Sequence, residues 1–366
     1  MTDQLAERRL DVLAYPRYGR TAPSSRYRML QFVTMLRDRG IDIELSPLLD
    51  DWYVAGLLDD RFPPLLRVTA AYLRRMWRQL TRRKPDLVWI EKELLPWLPW
   101  GLERLLLGRA TVLLDLDDSQ FHRYDLHGQA LLRRLLGRKI DRGMAAAGVV
   151  TCGSPYIAER AARAGARQVV MLPTAVDVAR YPDAMPERSA TKRNEFVVGW
   201  IGTPSNTRYL AALEAPLRRL AEEIELRILV IGGRPGVLQG LPVEYRAWSE
   251  ASEIADLQEI DVGIMPLPDE PWERGKCGLK LLQYMASWKP AVASPVGVNA
   301  TIVEPGVTGF LARDEAEWLA ALRRLQADPA LRRSMGEAGR RHVETQYSLA
   351  VLAPRLAEII RQAVGS

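Results

Sequence analysis

Apolar and polar positions along this chain come in blocks. Short, largely apolar runs fall at Leu10–Tyr15, Ile41–Leu45, Leu87–Glu91, Thr111–Leu116, Gly148–Cys152 and Gln168–Leu172. Most lack period-two alternation, as expected of strands buried on both faces of a parallel sheet. Helix-length stretches lie between them. Ser24 or Ser25 can cap a helix running to about Arg39, and Ser154-Pro155 reads as an N-cap followed by proline at the first helical position. The rhythm breaks at Tyr181–Asn194, a polar stretch with two prolines and no apolar period, expected to be an interdomain linker. It restarts with strand candidates Phe196–Ile201, Leu226–Ile231, Val243–Trp248, Val262–Met265 and Ala291–Ser294, and helices over 314–326, 328–345 and 349–364 close the chain. Strand alternating with helix predicts an α/β protein of two doubly wound, Rossmann-like domains, 1–182 and 183–348, with ligands at the carboxyl ends of the strands.

Composition narrows the function classes. A chain of 366 residues that is 48% hydrophobic is long enough for two cores. No apolar run reaches 18 residues, so no membrane-spanning helix is expected. The first fifteen residues carry acids and arginines around no apolar centre, which predicts no secretory signal and a cytoplasmic protein. Cys152 and Cys277 lack metal-ligand spacing and are read as free thiols. Three scattered histidines give no metal cluster, so no metal is expected. The net charge of +6 is uneven: residues 1–180 hold 29 lysines and arginines against 21 acids, and the rest hold 22 against 24. An anionic partner would meet the first half.

Three glycine-bearing loops follow predicted strands in the second half. In Gly275–Ser294, Gly275, Lys276, Cys277 and Gly278 precede a helix starting near Leu279, with Lys280 in its first turns. A helix N-terminus beside lysines suits a diphosphate, while on the segment alone the reading as a plain loop–helix–strand unit with solvated lysines comes first. In Val197–Leu210, a strand ends before Gly202, and Thr203, Pro204, Ser205, Asn206 and Thr207 open the next helix. These short polar side chains are either ordinary caps or a site for phosphate or sugar oxygens. The glycines of Leu226–Gly236 lack dinucleotide-site spacing and read as a tight turn.

In order, these segments resemble the donor domain of glycosyltransferase family 4, within the GT-B fold. The resemblance rests on WIGTPSNTRYL, on LVIGG, on VEYRAWSEASEIADLQEIDVGIMPLP and above all on KCGLKLLQYMASWKPAVASPVGVNATIVEPGVTGFL, and it is strongest from about Gly148 to Ala312. It implies transfer of a sugar, with retention and without a metal, from a UDP- or GDP-type nucleotide diphosphate sugar to a glycan, lipid-linked or small-molecule hydroxyl. It also implies two domains facing a cleft, with the closing helix, 349–366, returning to the first. The family's paired glutamates fall here on Gly275 and Gln283. Gln283 can still meet the ribose, while Gly275 has no side chain and Glu273 stands two residues away. The family's arginine and lysine near the first loop of this domain are replaced here by Gly202–Thr207, with only Arg208 beyond, so Lys280, helped by Lys276, is the candidate counter-charge to the diphosphate; the resemblance places Trp248 and Ser249 beside the base. Loss of both glutamates keeps open a GT-B-shaped binding or partner protein without catalysis.

In the first half, Pro16–Arg28 holds Arg17, Tyr18, Ser25, Arg26 and Arg28, a candidate loop for an anionic acceptor or an ordinary solvated one. Leu113–Phe121 ends a strand with Asp115, Asp117 and Asp118. Asp117 and Asp118 are candidates for acceptor positioning or proton acceptance, and capping of the next helix is the alternative. Residues 67–84 carry seven basic residues and no acid, with Val68, Tyr72, Met76 and Leu80 on one helical stripe beside Leu73 and Trp77. That helix either packs its stripe on the sheet or lies on an anionic membrane at the inner face. No nucleic-acid-binding motif occurs, so no nucleic acid is expected as partner.

Overall fold

The computed structural model describes residues 8–58, 63–185 and 195–365. Contacts divide the chain into two compact units. The first runs up to Ala175 and takes in Arg274–Cys277 and the chain from Leu349 onward; the second comprises Val176–Glu273 and Gly278–Ser348.

The first unit is a parallel sheet of β1 (Leu10–Tyr15), β2 (Ile41–Leu45), β3 (Leu87–Glu91), β4 (Val112–Leu116), β5 (Val149–Cys152) and β6 (Val169–Met171) in the order β2-β1-β3-β4-β5-β6. Register is set by pairs such as Val12 with Leu87 and Leu114 with Val150. The helices that matter here are α1 (Pro23–Arg28), α2 (Val33–Arg37), α3 (Leu65–Thr81), α4 (Trp100–Leu107), α5 (Lys139–Ala146) and α6 (Pro155–Arg163). Period two decides which side chain meets which layer. Leu87 and Trp89 of β3 join one core with Leu36 of α2, while Val88 and Ile90 join the other with Tyr72 of α3, Leu107 of α4, Met144 of α5 and Ile157 of α6. Both faces are thus buried, which explains the unbroken apolar runs.

The second unit repeats the plan with β7 (Phe196–Ile201), β8 (Leu226–Ile231), β9 (Val243–Arg246), β10 (Val262–Met265), β11 (Ala291–Ala293) and β12 (Gly309–Leu311) in the order β12-β11-β10-β7-β8-β9. One face packs α7 (Glu214–Glu223) and α9 (Glu315–Ala327) through Leu217 and Trp318. The other packs α8 (Leu279–Ala286) through Leu281, Leu282 and Met285, and α10 (Pro329–His342) follows α9. The closing helix α11 (Leu349–Gly365) belongs to the first unit, where Leu352, Leu356 and Ile360 join the core beside α2. Each unit is thus a doubly wound parallel α/β sheet, as the pattern implied.

Some local expectations change. The helix expected from Ser24 or Ser25 to Arg39 is broken into α1, a 3-10 turn at Leu30–Phe32 and α2. Pro23 sits in its first turn after Ala22, so neither serine is the cap, and Ser25 is turned inward to other work. Ser154 does cap α6, accepting from the Ile157 N–H at 3.4 Å. Tyr181, expected in the linker, is buried in the second unit's core, and 186–194 lie outside the described residues.

Candidate functional site

In a doubly wound sheet the chain reverses its order at one point, and loops on either side of that point diverge to leave a crevice. In the second unit the reversal falls between β7 and β10, in the first between β1 and β3. Most of the residues singled out from sequence lie on loops that follow the strands of these two sheets.

After β7 the chain passes Gly202 and enters a 3-10 helix, Pro204–Leu213, instead of the expected α-helix. Pro204 opens it, and Thr203, Ser205 and Asn206 bond one another: Asn206 Nδ2 donates to Thr203 Oγ1 at 3.0 Å, and the two hydroxyls lie 3.2 Å apart. Three glycines let neighbouring loops close on Gly202. A Cβ there would sit 2.5 Å from the Trp200 ring and 3.0 Å from Lys280 Cε. Gly232 has a φ of +74°, and a Cβ would stand 2.4 Å from the Gly202 carbonyl oxygen and 3.0 Å from Trp248 Cβ. A Cβ at Gly233 would come within 3.0 Å of Thr207 Oγ1. Thr207 is buried and accepts from the Arg234 N–H at 3.0 Å, tying the loops after β7 and β8 together. Trp248, two residues past β9 instead of within it, donates from Nε1 to Glu253 at 2.7 Å. Ser249 Oγ accepts from the Ser252 N–H at 3.0 Å and holds that turn.

Lys280 stands in the first turn of α8 with its Nζ 5.3 Å from the centre of the Trp200 ring. Gly278 supplies the left-handed N-cap at φ 69°, and Ile302 fills the space a Cβ would need. Tyr284 locks the helix: its hydroxyl accepts from the Ile201 N–H at 3.1 Å and donates to the Ile264 carbonyl at 3.1 Å. Gln283 is buried one turn beyond Gly278. The structure thus brings Gly202, Thr207, Trp248, Gly278, Leu279, Lys280 and Gln283 to one end of the second sheet.

Lys276 and Cys277 go elsewhere, because Arg274–Cys277 packs with the first unit. Cys277 Sγ lies 2.8 Å from the Asp117 carbonyl oxygen, and Ser154 Oγ reaches the Gly275 carbonyl oxygen at 3.4 Å. A Cβ at Gly275 would be 1.8 Å from Ser119 Oγ, so no glutamate fits there. Glu273, still in the second unit, is 2% exposed. Tyr209 donates to its Oε1, and its Oε2 is buried with no hydrogen-bond partner. Burial, with this bond adding to it, pushes the Tyr209 hydroxyl up to about 12.

The first unit holds a buried charge network at its reversal point. The Pro16–Arg28 loop, expected to be solvated or cleft-facing, turns its side chains inward. Arg28 makes a two-pronged pair with Asp115, Nε to Oδ2 at 2.8 Å, and donates to the Leu172 carbonyl at 2.9 Å. Ser25 Oγ and the Arg17 N–H both donate to Glu91 Oε2, and the Tyr18 N–H donates to Ser25 Oγ at 3.0 Å. Arg17 pairs with Glu93 at 3.0 Å, and Arg26 is buried beneath the Tyr27 ring. Carbonyl groups and carboxylates gathered at strand ends need donors when water is excluded, which is why these arginines fold in.

Sequence reading passed over the turn Glu91-Lys92-Glu93. Lys92 has a φ of +64°, a left-handed conformation that costs a non-glycine residue about 1 kcal/mol. Its ammonium sits 3.0 Å from Asp117 Oδ1 and 3.6 Å from Asp118 Oδ2. Burial pushes the Asp118 carboxyl above the usual range; Lys92 opposes this and neighbouring Asp117 adds to it. Glu93 also accepts from Tyr124 and Lys139, each at 2.6 Å. Burial raises its carboxyl, but Lys139 and Arg17 outweigh that and leave it below its ordinary value. Three consecutive charged residues, Glu91 to Glu93, at the end of an otherwise apolar strand were the available signal.

The architecture is that of GT-B glycosyltransferases. It matches the sucrose-phosphate synthase of Thermosynechococcus elongatus at a TM-score of 0.71 and 16% identity, over 96% of this chain and 98% of that one. The Anabaena Alr3699/HepE protein, in complex with UDP and glucose, matches at a TM-score of 0.66 and 15% identity, over 96% and 100%. Residues 195–328, most of them in the second unit, match the family model described as glycosyl transferases group 1. Among curated proteins, the D-inositol 3-phosphate glycosyltransferase of Geodermatophilus obscurus is 30% identical over 207 residues, 48% of this chain and 43% of that protein. The protein of the same name from Kineococcus radiotolerans is 28% identical over 245 residues, 54% and 52%. The matched part of the chain spans about half the length of these two relatives.

Proposed function

We propose that the protein is a retaining, metal-independent glycosyltransferase that moves a sugar from a UDP- or GDP-type nucleotide sugar to a hydroxyl acceptor. The observation that carries this is a coincidence of two independent results. The group 1 glycosyl transferase match covers residues 195–328, and the glycine-lined cluster of Gly202, Gly232, Trp248 and Lys280 lies within it. Glycines that admit backbone close to a ligand, a lysine and a helix N-terminus are the equipment for a leaving diphosphate.

On this reading Lys280 and the first N–H groups of α8 take the charge that develops on the diphosphate. Trp248 and Ser249 flank the base, and Gln283 meets the ribose. Thr203, Pro204, Ser205, Asn206 and Thr207 line the phosphate side, and Lys276 and Cys277, which pack with the first unit, take no part in it. Glu273 takes the sugar contact that Gly275 cannot make, since Glu273 keeps one buried oxygen without a partner. Asp118, with Asp117 and Lys92 beside it, orients the acceptor hydroxyl or accepts its proton. Arg17, Tyr18, Ser25, Arg26 and Arg28 act on the acceptor through the carboxylates and backbone that they hold. The acceptor is a glycan, a lipid-linked glycan or a small molecule, and the protein works in the cytoplasm with peripheral contact to the inner membrane face through residues 67–84.

The test is release of nucleoside diphosphate from a panel of UDP- and GDP-sugars in the presence of an acceptor library. Acceptor-dependent release, with the product's anomeric configuration matching the donor's, supports the proposal. Donor binding without turnover across the panel would favour a binding protein that has lost catalysis.

A further inference from the structure

The helix α3 turns Val68, Tyr72 and Met76 of its apolar stripe inward and leaves Leu80, with Leu73 and Trp77, outside. Its inward side carries Ala71, Tyr72, Met76 and, at its centre, the fully buried Arg75. The Arg75 guanidinium donates to the carbonyls of Pro16 at 2.7 Å, Ser46 at 2.8 Å and Leu94 at 3.0 Å. These carbonyls lie just past the ends of β1, β2 and β3, where the ladder no longer supplies donors, so Arg75 fixes the helix's rotation. The consequence falls on the other side. Leu66, Leu73, Trp77 and Leu80 lie within one narrow helical face and point to solvent, Leu66 at 84% exposure and Trp77 at 70%. Leu105 of α4, on the same side of the sheet, is exposed as well.

Leaving a leucine in water forgoes about 1.5–3 kcal/mol of burial each, and soluble surfaces seldom gather several in one stripe. The charges around the stripe identify what covers it. No acid occurs between Arg61 and Pro85, and Arg67, Arg74, Arg83 and Lys84 are exposed on and just beyond the helix. Arg78 and Arg82 are drawn to Glu44 and Asp11, within the first unit. An apolar ridge carrying a tryptophan and flanked by unopposed positive charge complements a bilayer with anionic headgroups: the ridge enters the acyl boundary and the arginines meet phosphate.

We infer that the outward face of α3, Leu66, Leu73, Trp77 and Leu80, continued by Leu105, is an interfacial docking surface for an anionic lipid bilayer. This deepens the membrane contact in the proposed function and specifies its residues. They are the side chains turned away from the sheet, while Tyr72 and Met76 of the sequence stripe belong to the core.

The experiment is flotation of the full chain with vesicles of phosphatidylcholine alone and with phosphatidylglycerol added. The wild type should float with anionic vesicles at low salt, less at high salt, and little with phosphatidylcholine alone. A double Leu73→Glu, Trp77→Glu variant should lose at least about tenfold in vesicle partitioning, with its melting temperature unchanged because both positions are exposed. Arg67→Glu with Arg74→Glu should weaken binding to anionic vesicles, and Val307→Glu, exposed in the second unit, should leave it alone. Wild-type protein left wholly in the soluble fraction would overturn the inference, as would a double variant that floats like wild type. Self-association removed by the double variant, without vesicle binding, would make the occupant a second copy of the chain and overturn it too. Nucleotide binding measured on the same preparations separates this failure from failure of the glycosyltransferase reading.

Discussion

Replacing Lys280 with alanine tests the diphosphate assignment at the residue that carries it. The Lys280 ammonium lies over the Trp200 ring at 5.3 Å, and its Cε borders the space beside Gly202. An ammonium about 4 Å from a phosphate oxygen is attracted by about 4 kcal/mol at an effective dielectric near 20. Lys280 is only half-buried, so water screening reduces this, and a loss of about 1.4–3 kcal/mol in the transition state is expected. That corresponds to a fall of about ten- to 150-fold in kcat/KM. The charge grows as the sugar leaves, so most of the fall should appear in kcat and less in KM. The fold should survive, because Lys280 is half-buried and Tyr284 still ties α8 to Ile201 and Ile264. The assay is steady-state release of nucleoside diphosphate, beside circular dichroism melting of both proteins. Lys280→Arg should recover part of the loss. Near-normal turnover in Lys280→Ala, with the protein folded, would remove Lys280 from this role.

Further expectations follow from the first unit and from the Gly275 turn. Arg28→Ala strands Asp115 in the core and should cost about 3–5 kcal/mol, read as a lowered midpoint in urea denaturation; a midpoint unchanged from wild type would contradict the buried pair. Gly275→Ala drives a Cβ toward Ser119 Oγ and should lower the melting temperature, whereas Glu273→Gln should leave melting nearly unchanged and reduce turnover. Asp118 has its carboxyl raised by burial, so its ionised form is disfavoured in the native state. Asp118→Asn should therefore stabilise the protein at neutral pH, and the gain should vanish as pH falls below the unfolded carboxylate range, which urea melts at both pH values will show. If Asp118 accepts the proton, the acid limb of kcat/KM lies above the ordinary carboxylate range, and the variant loses that limb.

The strands were legible because burial on both faces writes them as apolar runs. Leu10–Tyr15, Leu87–Glu91, Phe196–Ile201 and Leu226–Ile231 have the bounds that the sequence implied. Glycines after strands pointed to Gly202 and Gly278, since a loop that must approach another backbone has few alternatives. What could not be read was pairing across long separations. Arg28 meets Asp115 and Arg17 meets Glu93 at distances of 87 and 76 residues along the chain, and a local pattern shows only an arginine-rich loop. The burial of Arg75 was hidden for the same reason: a helical wheel assigns an arginine outward, and the carbonyls of Pro16, Ser46 and Leu94 draw it in. The split of the segment around Gly275 was invisible as well, because Cys277 bonds the Asp117 backbone 160 residues away while Lys280, three residues on, serves the second sheet.

The central claim is a nucleotide-sugar site at the carboxyl end of the second sheet. Its most direct measurement is the melting temperature of the full chain, and of Gly202→Val, with millimolar UDP, GDP, ADP and their sugars. A Cβ at Gly202 would press on Trp200 and Lys280. The account predicts that one nucleotide family raises the wild-type melting temperature with the logarithm of its concentration and leaves the variant unmoved. No shift with any nucleotide, or an equal shift in the variant, would contradict it.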